Sequence, residues 1–144
     1  MRKRVFLDAN IIISGTFFVG NEARILSLGD IDLMTSDLVV EEVKEVVARK
    51  FKSLRVESRR IGLVEVERAF IDFDKIVDEA EYSQKISEAE KIVHKKKDSK
   101  ILAAVLALKP DYFITGDDDF FIPEVQQSVP VMRTKEFLEK YGIL

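Results

Sequence analysis

Residues 97–121, KDSKILAAVLALKPDYFITGDDDFF, decide how this chain is read. Asp98 stands at the head of a run, 99–108, that is apolar almost all round, which marks a helix packed between other elements. Pro110 stops that helix. Residues 112–115 then form a short apolar run of strand character, and Gly116 releases the backbone into Asp117-Asp118-Asp119. Singly, Asp98 reads as a helix cap and the three aspartates as a polar turn. Together, a buried helix, a buried strand and closely placed acids at the strand's end point to an α/β domain with a metal site.

The rest of the chain repeats that alternation. Val5-Phe6-Leu7 is a short apolar strand ending in Asp8, with Asn10 placed to cap the segment 11–14. A helix over 22–28 starts at Asn21 and stops at Gly29, and a strand follows over 31–35. Ser36 or Asp37 caps a helix reaching about Lys50, with an apolar arc of Leu38, Val39, Val43, Val46 and Val47. At about 100° per residue, Glu42 falls at the edge of that arc and Glu41 on the solvent side. Glu42 is therefore the glutamate expected to face inward. Further helices are expected over 54–72, 83–96 and 135–141, the last capped by Thr134. An edge strand is expected over 74–77 and a last strand over 129–132. Strand and helix alternating in this way favour a parallel sheet over a bundle.

At 144 residues the chain has room for one domain, and 47% hydrophobic with 34% charged residues describes a soluble, densely charged protein. No run approaches the ~20 apolar residues of a membrane span, and the first residues enter a strand directly, so the cytoplasm is the expected location. With no cysteine and one histidine, His94, a bound cation must rely on oxygen ligands. That favours Mg²⁺ or Mn²⁺. His94 lies among lysines and receives no role. The net charge of −3 excludes a uniformly basic surface. Positive charge is nonetheless concentrated at Arg49, Lys50, Lys52, Arg55, Arg59 and Arg60, the first place to expect contacts with nucleic-acid phosphates.

In an open parallel sheet, ligands bind beyond the carboxyl ends of the strands, where Asp8 and Asp117 are expected, and Asp98 and Glu42 can converge on the same crevice. Two ionised carboxylates about 4 Å apart repel by ~4 kcal/mol at an effective dielectric near 20, so such a cluster needs protons or a divalent cation. A bound cation that activates water and neutralises phosphate suits phosphodiester hydrolysis. A phosphatase working through an aspartyl-phosphate at Asp8 and a catalytically silent binding module are the other classes in view. The haloacid-dehalogenase type of phosphatase needs a second aspartate where this chain has Asn10.

The set LDANIII, Glu42 in VVEEVKEVV, Asp98 in KDSKILAAVLAL and YFITGDDDF resembles the PIN-domain nucleases over essentially the whole chain. The resemblance implies a small three-layer α/β/α domain with a central parallel sheet, cleaving RNA with Mg²⁺ or Mn²⁺. Carried over by position, Asp8, Glu42, Asp98 and Asp117 are the acidic core, Asp119 is a further ligand or positions water, and Asn10 and Thr115 support the pocket through hydrogen bonds. One departure is Lys95, where many relatives carry an acid; it implies altered substrate contacts or local charge. The family includes toxins of toxin–antitoxin pairs and frequent homodimers, so an antitoxin partner and a homodimer are further expectations.

Overall fold

The computed structural model describes residues 2–51 and 56–143, with backbone alone at 56–59. Five strands, β1 (Lys3–Leu7), β2 (Ile31–Ser36), β3 (Lys75–Val77), β4 (Tyr112–Ile114) and β5 (Val131–Met132), form one sheet in the order β3-β2-β1-β4-β5. Every pairing is parallel, with Val5 of β1 beside Leu33 on one side and Tyr112 on the other. Val5, Phe6 and Leu7 have no exposed surface. That is why β1 reads as an unbroken apolar run: a central parallel strand is covered on both faces.

The helices are α1 (Ala9–Phe17), α2 (Asn21–Leu26), α3 (Asp37–Lys50), α4 (Val56–Ile71), α5 (Glu79–Tyr82), α6 (Ile86–Glu90), α7 (Lys96–Leu108), α8 (Pro123–Ser128) and α9 (Thr134–Lys140). The chain moves outward from β1 to β2 and β3, then returns to β4 and β5 on the other side of β1. Right-handed crossovers therefore set α1–α4 on one face and α5–α8 on the other. The packing agrees: α1 contacts α2, α3 and α4, α9 contacts α2, and α5 and α6 contact α7. The result is a three-layer α/β/α fold. Its strand order reverses between β1 and β4, which opens a crevice at their carboxyl ends.

Several elements differ from the sequence reading. Residues 83–96 do not form one helix: after α5 comes a 3-10 turn (Ser83–Lys85), then α6, and the helix stops at Glu90. The apolar spacing is satisfied instead by short turns that bury Tyr82, Ala89 and Val93, with the Tyr82 hydroxyl donating to Asp37 Oδ1 at 2.8 Å. Pro123 begins α8, a helix the sequence reading did not include, because the first helical position needs no amide donor. Thr134 is the first residue of α9, not its cap, and Arg133 holds the cap position. In the basic run, Lys52 and Arg55 lie outside the described residues, as does the side chain of Arg59; Arg49, Lys50 and Arg60 are exposed. Among the described residues no helix is long and apolar enough to cross a membrane.

Candidate metal centre

Asp8 leaves β1 where the strand order reverses, and its backbone NH donates to Ile114 O at 3.1 Å, fastening the ends of β1 and β4 together. The side chain, 5% exposed, caps α1: Oδ1 accepts from Ala9 N at 2.8 Å and Oδ2 from the Thr115 hydroxyl at 2.6 Å. Asp8, not Asn10, is therefore the N-cap. Asn10 lies in the first turn of α1, where Oδ1 accepts from Gly116 N at 3.4 Å. A Cβ at position 116 would come within 3.1 Å of Asn10 Nδ2, so a glycine there lets the loop after β4 pack closely on the start of α1. The buried Thr115 hydroxyl donates to Asp8 and accepts from Asp117 N at 3.1 Å. One hydroxyl thus sets the spacing of two site aspartates.

The acidic turn is fixed from beneath. Asp117 Oδ1 accepts from Asp119 N at 2.9 Å and caps a single 3-10 turn, Asp118–Phe120. That turn drives Phe120 into the core, edge-on to Phe113 at 5.1 Å, and Phe113 packs in turn on Phe6 at 5.5 Å. Asp118 faces outward to Arg133, whose guanidinium donates to Asp118 Oδ1 at 2.5 Å and to Gly116 O at 3.2 Å and stacks on Phe121.

The remaining acids come from helices. Helix α7 starts at Lys96, ahead of the expected position, so Asp98 sits within its first turn and does not cap it. There it is 8% exposed above the wholly buried face of α7. Glu42 lies at the inner edge of α3 as expected, and Lys97 Nζ stands 2.7 Å from its Oε1. Asp98, Asp117 and Asp119 each offer a carboxylate oxygen, and these lie within 4.8 Å of one another, the one such grouping among the described residues. Asp8 and Glu42 fall outside that trio. They join Asp98 and Asp117 around an adjoining cavity of about 80 Å³, which Asn10 and Lys97 also line. The structure thus brings the acids together as two overlapping sets that share Asp98 and Asp117.

Burial pushes the Asp8 carboxyl up to about 6, against the hydrogen bonds from Thr115 and Ala9, and nearby Glu42 and Asp117 add to the rise. Asp98 is also raised to about 6, by burial first and then by the charges of Asp117 and Asp119. Asp119 is held below its ordinary value by Lys95, whose Nζ lies 2.7 Å from Oδ2. The donor set suits a hard divalent cation: it is all oxygen, and three carboxylates from two elements offer oxygens to one point. A testable consequence concerns stability without metal. The penalty at Asp98 is absent below the unfolded value of 3.8 and grows as pH rises through about 6. Asp98→Asn is therefore expected to stabilise the metal-free protein by ~1 kcal/mol at pH 7 and by almost nothing at pH 4. Thermal melts at both pH values check this; a variant less stable than wild type at pH 7 would make Asp98 an ordinary structural acid.

Sequence reasoning passed over Lys97, because a lysine beside lysines carries no signal until its partner on α3 is in place. It also passed over Phe120, the anchor of the acidic turn.

A family model for the PIN domain matches residues 6–139. No curated protein sequence matches the chain. Among solved structures it is similar to FitAcB from Neisseria gonorrhoeae, at 22% identity over 91% of this chain and 98% of that one, with a TM-score of 0.66. It is similar to VapBC2 from Rickettsia felis bound to a DNA fragment from their promoter, at 18% identity over 90% and 98%, with a TM-score of 0.63. It is also similar to Mycobacterium tuberculosis VapC20, described as a sarcin-ricin loop cleaving toxin, at 14% identity over 81% and 92%, with a TM-score of 0.56. These likenesses carry the fold, and the family match over nearly the whole length carries the kinship: the chain belongs to the PIN domain family.

Proposed function

We propose that this protein is a metal-dependent endoribonuclease that hydrolyses RNA phosphodiester bonds and serves as the toxin of a toxin–antitoxin pair. The observation that carries the catalytic reading is the trio Asp98, Asp117 and Asp119 beside the cavity that Asp8 and Glu42 complete. Mg²⁺ or Mn²⁺ held by the trio, with Asp8 and Glu42 alongside, supplies positive charge for phosphate oxygens and lowers the pKa of a bound water. The chain's own part is preorganisation. Thr115 and Ala9 hold Asp8 in one orientation, Asp117 is pinned by its own turn, and the apolar body of α7 keeps Asp98 at the mouth of the site. The two oxygens of Asp8 accept hydrogen bonds from Thr115 and Ala9 and the side chain is buried, which disfavours its use as a phosphate-accepting nucleophile.

The toxin assignment draws support from the family and from structural neighbours that are toxin–antitoxin complexes. Exposed apolar side chains Ile61, Val64 and Ile71 on α4 give a protein partner, an antitoxin or a second copy, something to cover. Arg49 and Lys50 stand about 10 Å along α3 beyond Glu42, at 1.5 Å per residue, within reach of phosphates flanking the cleaved one. Incubation with a mixed RNA pool and Mn²⁺, followed by mapping of the new ends, tests the reading: cleavage is expected with metal and none in excess chelator. Cleavage that persists in chelator overturns the metal mechanism, and metal-independent binding without cleavage selects the silent binding module.

A further inference from the structure

Two lysines stand just before Asp98 in sequence, Lys95 and Lys97, and both reach back to acids of the site. Lys95 Nζ lies 2.7 Å from Asp119 Oδ2, and Lys97 Nζ lies 2.7 Å from Glu42 Oε1. The pairs sit at opposite ends of the acidic cluster: Lys95 beside the trio, Lys97 on the wall of the cavity shared with Asp8. Asp98 and Asp117 lie close enough to add to the field on Lys95. Both lysines have long side chains, about three-quarters exposed at Lys95 and half at Lys97, so neither ammonium is locked in place. Exposed pairs of this kind add little to stability. Their position matters more, because each neutralises a carboxylate that a divalent cation would otherwise draw on.

We propose that Lys95 and Lys97 are tethered counter-cations. They hold Asp119 and Glu42 while the site is without metal, give those carboxylates up when a divalent cation arrives, and turn their freed ammonium groups to the RNA phosphates on either side of the scissile one. Lys95 also lines a larger open cavity, about 450 Å³, that runs from Asp98 and Asp119 past His94 and Ile122, so its released ammonium has a place to go beside bound substrate. Electrostatics sets the sign of the effect: a positive charge near a cation site weakens binding of the cation and strengthens binding of the anion that follows.

This inference rests on the metal-dependent reading above. The measurement is Mn²⁺ titration by calorimetry, without RNA, on wild type, Lys95→Gln, Lys97→Gln, the double variant, and Lys95→Arg. The glutamine variants are expected to bind Mn²⁺ more tightly, by roughly three- to tenfold each given exposed charges in high dielectric, while Lys95→Arg stays near wild type. In a second arm, binding of a short single-stranded RNA to the metal-loaded protein carrying Asp8→Asn is expected to weaken when Lys95 and Lys97 are both Gln, with a shallower dependence on salt. A merely structural role would lower melting temperature without tightening Mn²⁺. Mn²⁺ affinity that is unchanged or weaker in the glutamine variants, or an RNA affinity that does not fall, overturns the inference alone. Absence of Mn²⁺ binding in wild type overturns the metal reading and this inference with it.

Discussion

Asp8→Asn and Asp117→Asn are each expected to lose RNA cleavage by about a hundredfold or more while the protein stays folded, since even residues one step removed from a metal commonly cost 10- to 100-fold. The expectation that the fold survives comes from the hydrogen bonds. Asparagine at position 8 keeps an oxygen for Ala9 N and offers its amide to the Thr115 oxygen, and asparagine at 117 keeps the oxygen that accepts from Asp119 N. What both changes remove is negative charge. The substitution at position 8 also removes an ionised group that burial already disfavours, its carboxyl being raised to about 6. Cleavage assays in Mn²⁺, paired with thermal melts, check both halves. Full activity in both variants would show that the charge of these two aspartates is not used in the reaction, and unfolded variants would show that their hydrogen bonds are structural first.

Phe120→Ala is expected to cost about 3–5 kcal/mol of stability, the range for deleting a buried aromatic ring. The ring has no exposed surface and is the outer member of the edge-on Phe6–Phe113–Phe120 series, so its loss leaves a cavity under the acidic turn. The turn carries Asp117 and Asp119, so Mn²⁺ binding is expected to weaken even at temperatures where the variant remains folded. Phe121→Ala provides the contrast: that ring is only partly buried and stacks on Arg133, so its removal is expected to cost about 1 kcal/mol. Denaturant titration of the two variants separates them. Equal losses would mean that the Phe6–Phe113–Phe120 contacts do not anchor the turn.

How much of this was legible in the chain depends on the distance over which each feature is specified. The parallel sheet was, because β1, β2 and β4 are short apolar runs bounded by acids and glycine and separated by helical stretches. The inward turn of Glu42 was too, because helical periodicity fixes direction within a few residues: Glu42 is partly buried and Glu41 is exposed. Helix ends were less so. Asp8, not Asn10, caps α1, and Asp98 lies inside α7, since a cap is decided by which side chain the preceding loop swings toward the free amides. The region after β3 was misread as one helix because the same apolar spacing serves a helix or a series of buried turns, and docking of Tyr82 on Asp37 chooses the turns.

Composition and local pattern single out five candidate acids, Asp8, Glu42, Asp98, Asp117 and Asp119, all placed near strand ends or the starts and inner edges of helices. How those acids divide depends on long-range packing. Asp98, Asp117 and Asp119 bring carboxylate oxygens within 4.8 Å of one another, while Asp8 accepts from the Thr115 hydroxyl and Glu42 lies beside Lys97. These partners are separated by 107 residues in the case of Asp8 and Thr115, so no local pattern could pair them. They meet because β1 and β4 are neighbours at the reversal of strand order, and that adjacency is set by crossover handedness and burial across the whole sheet.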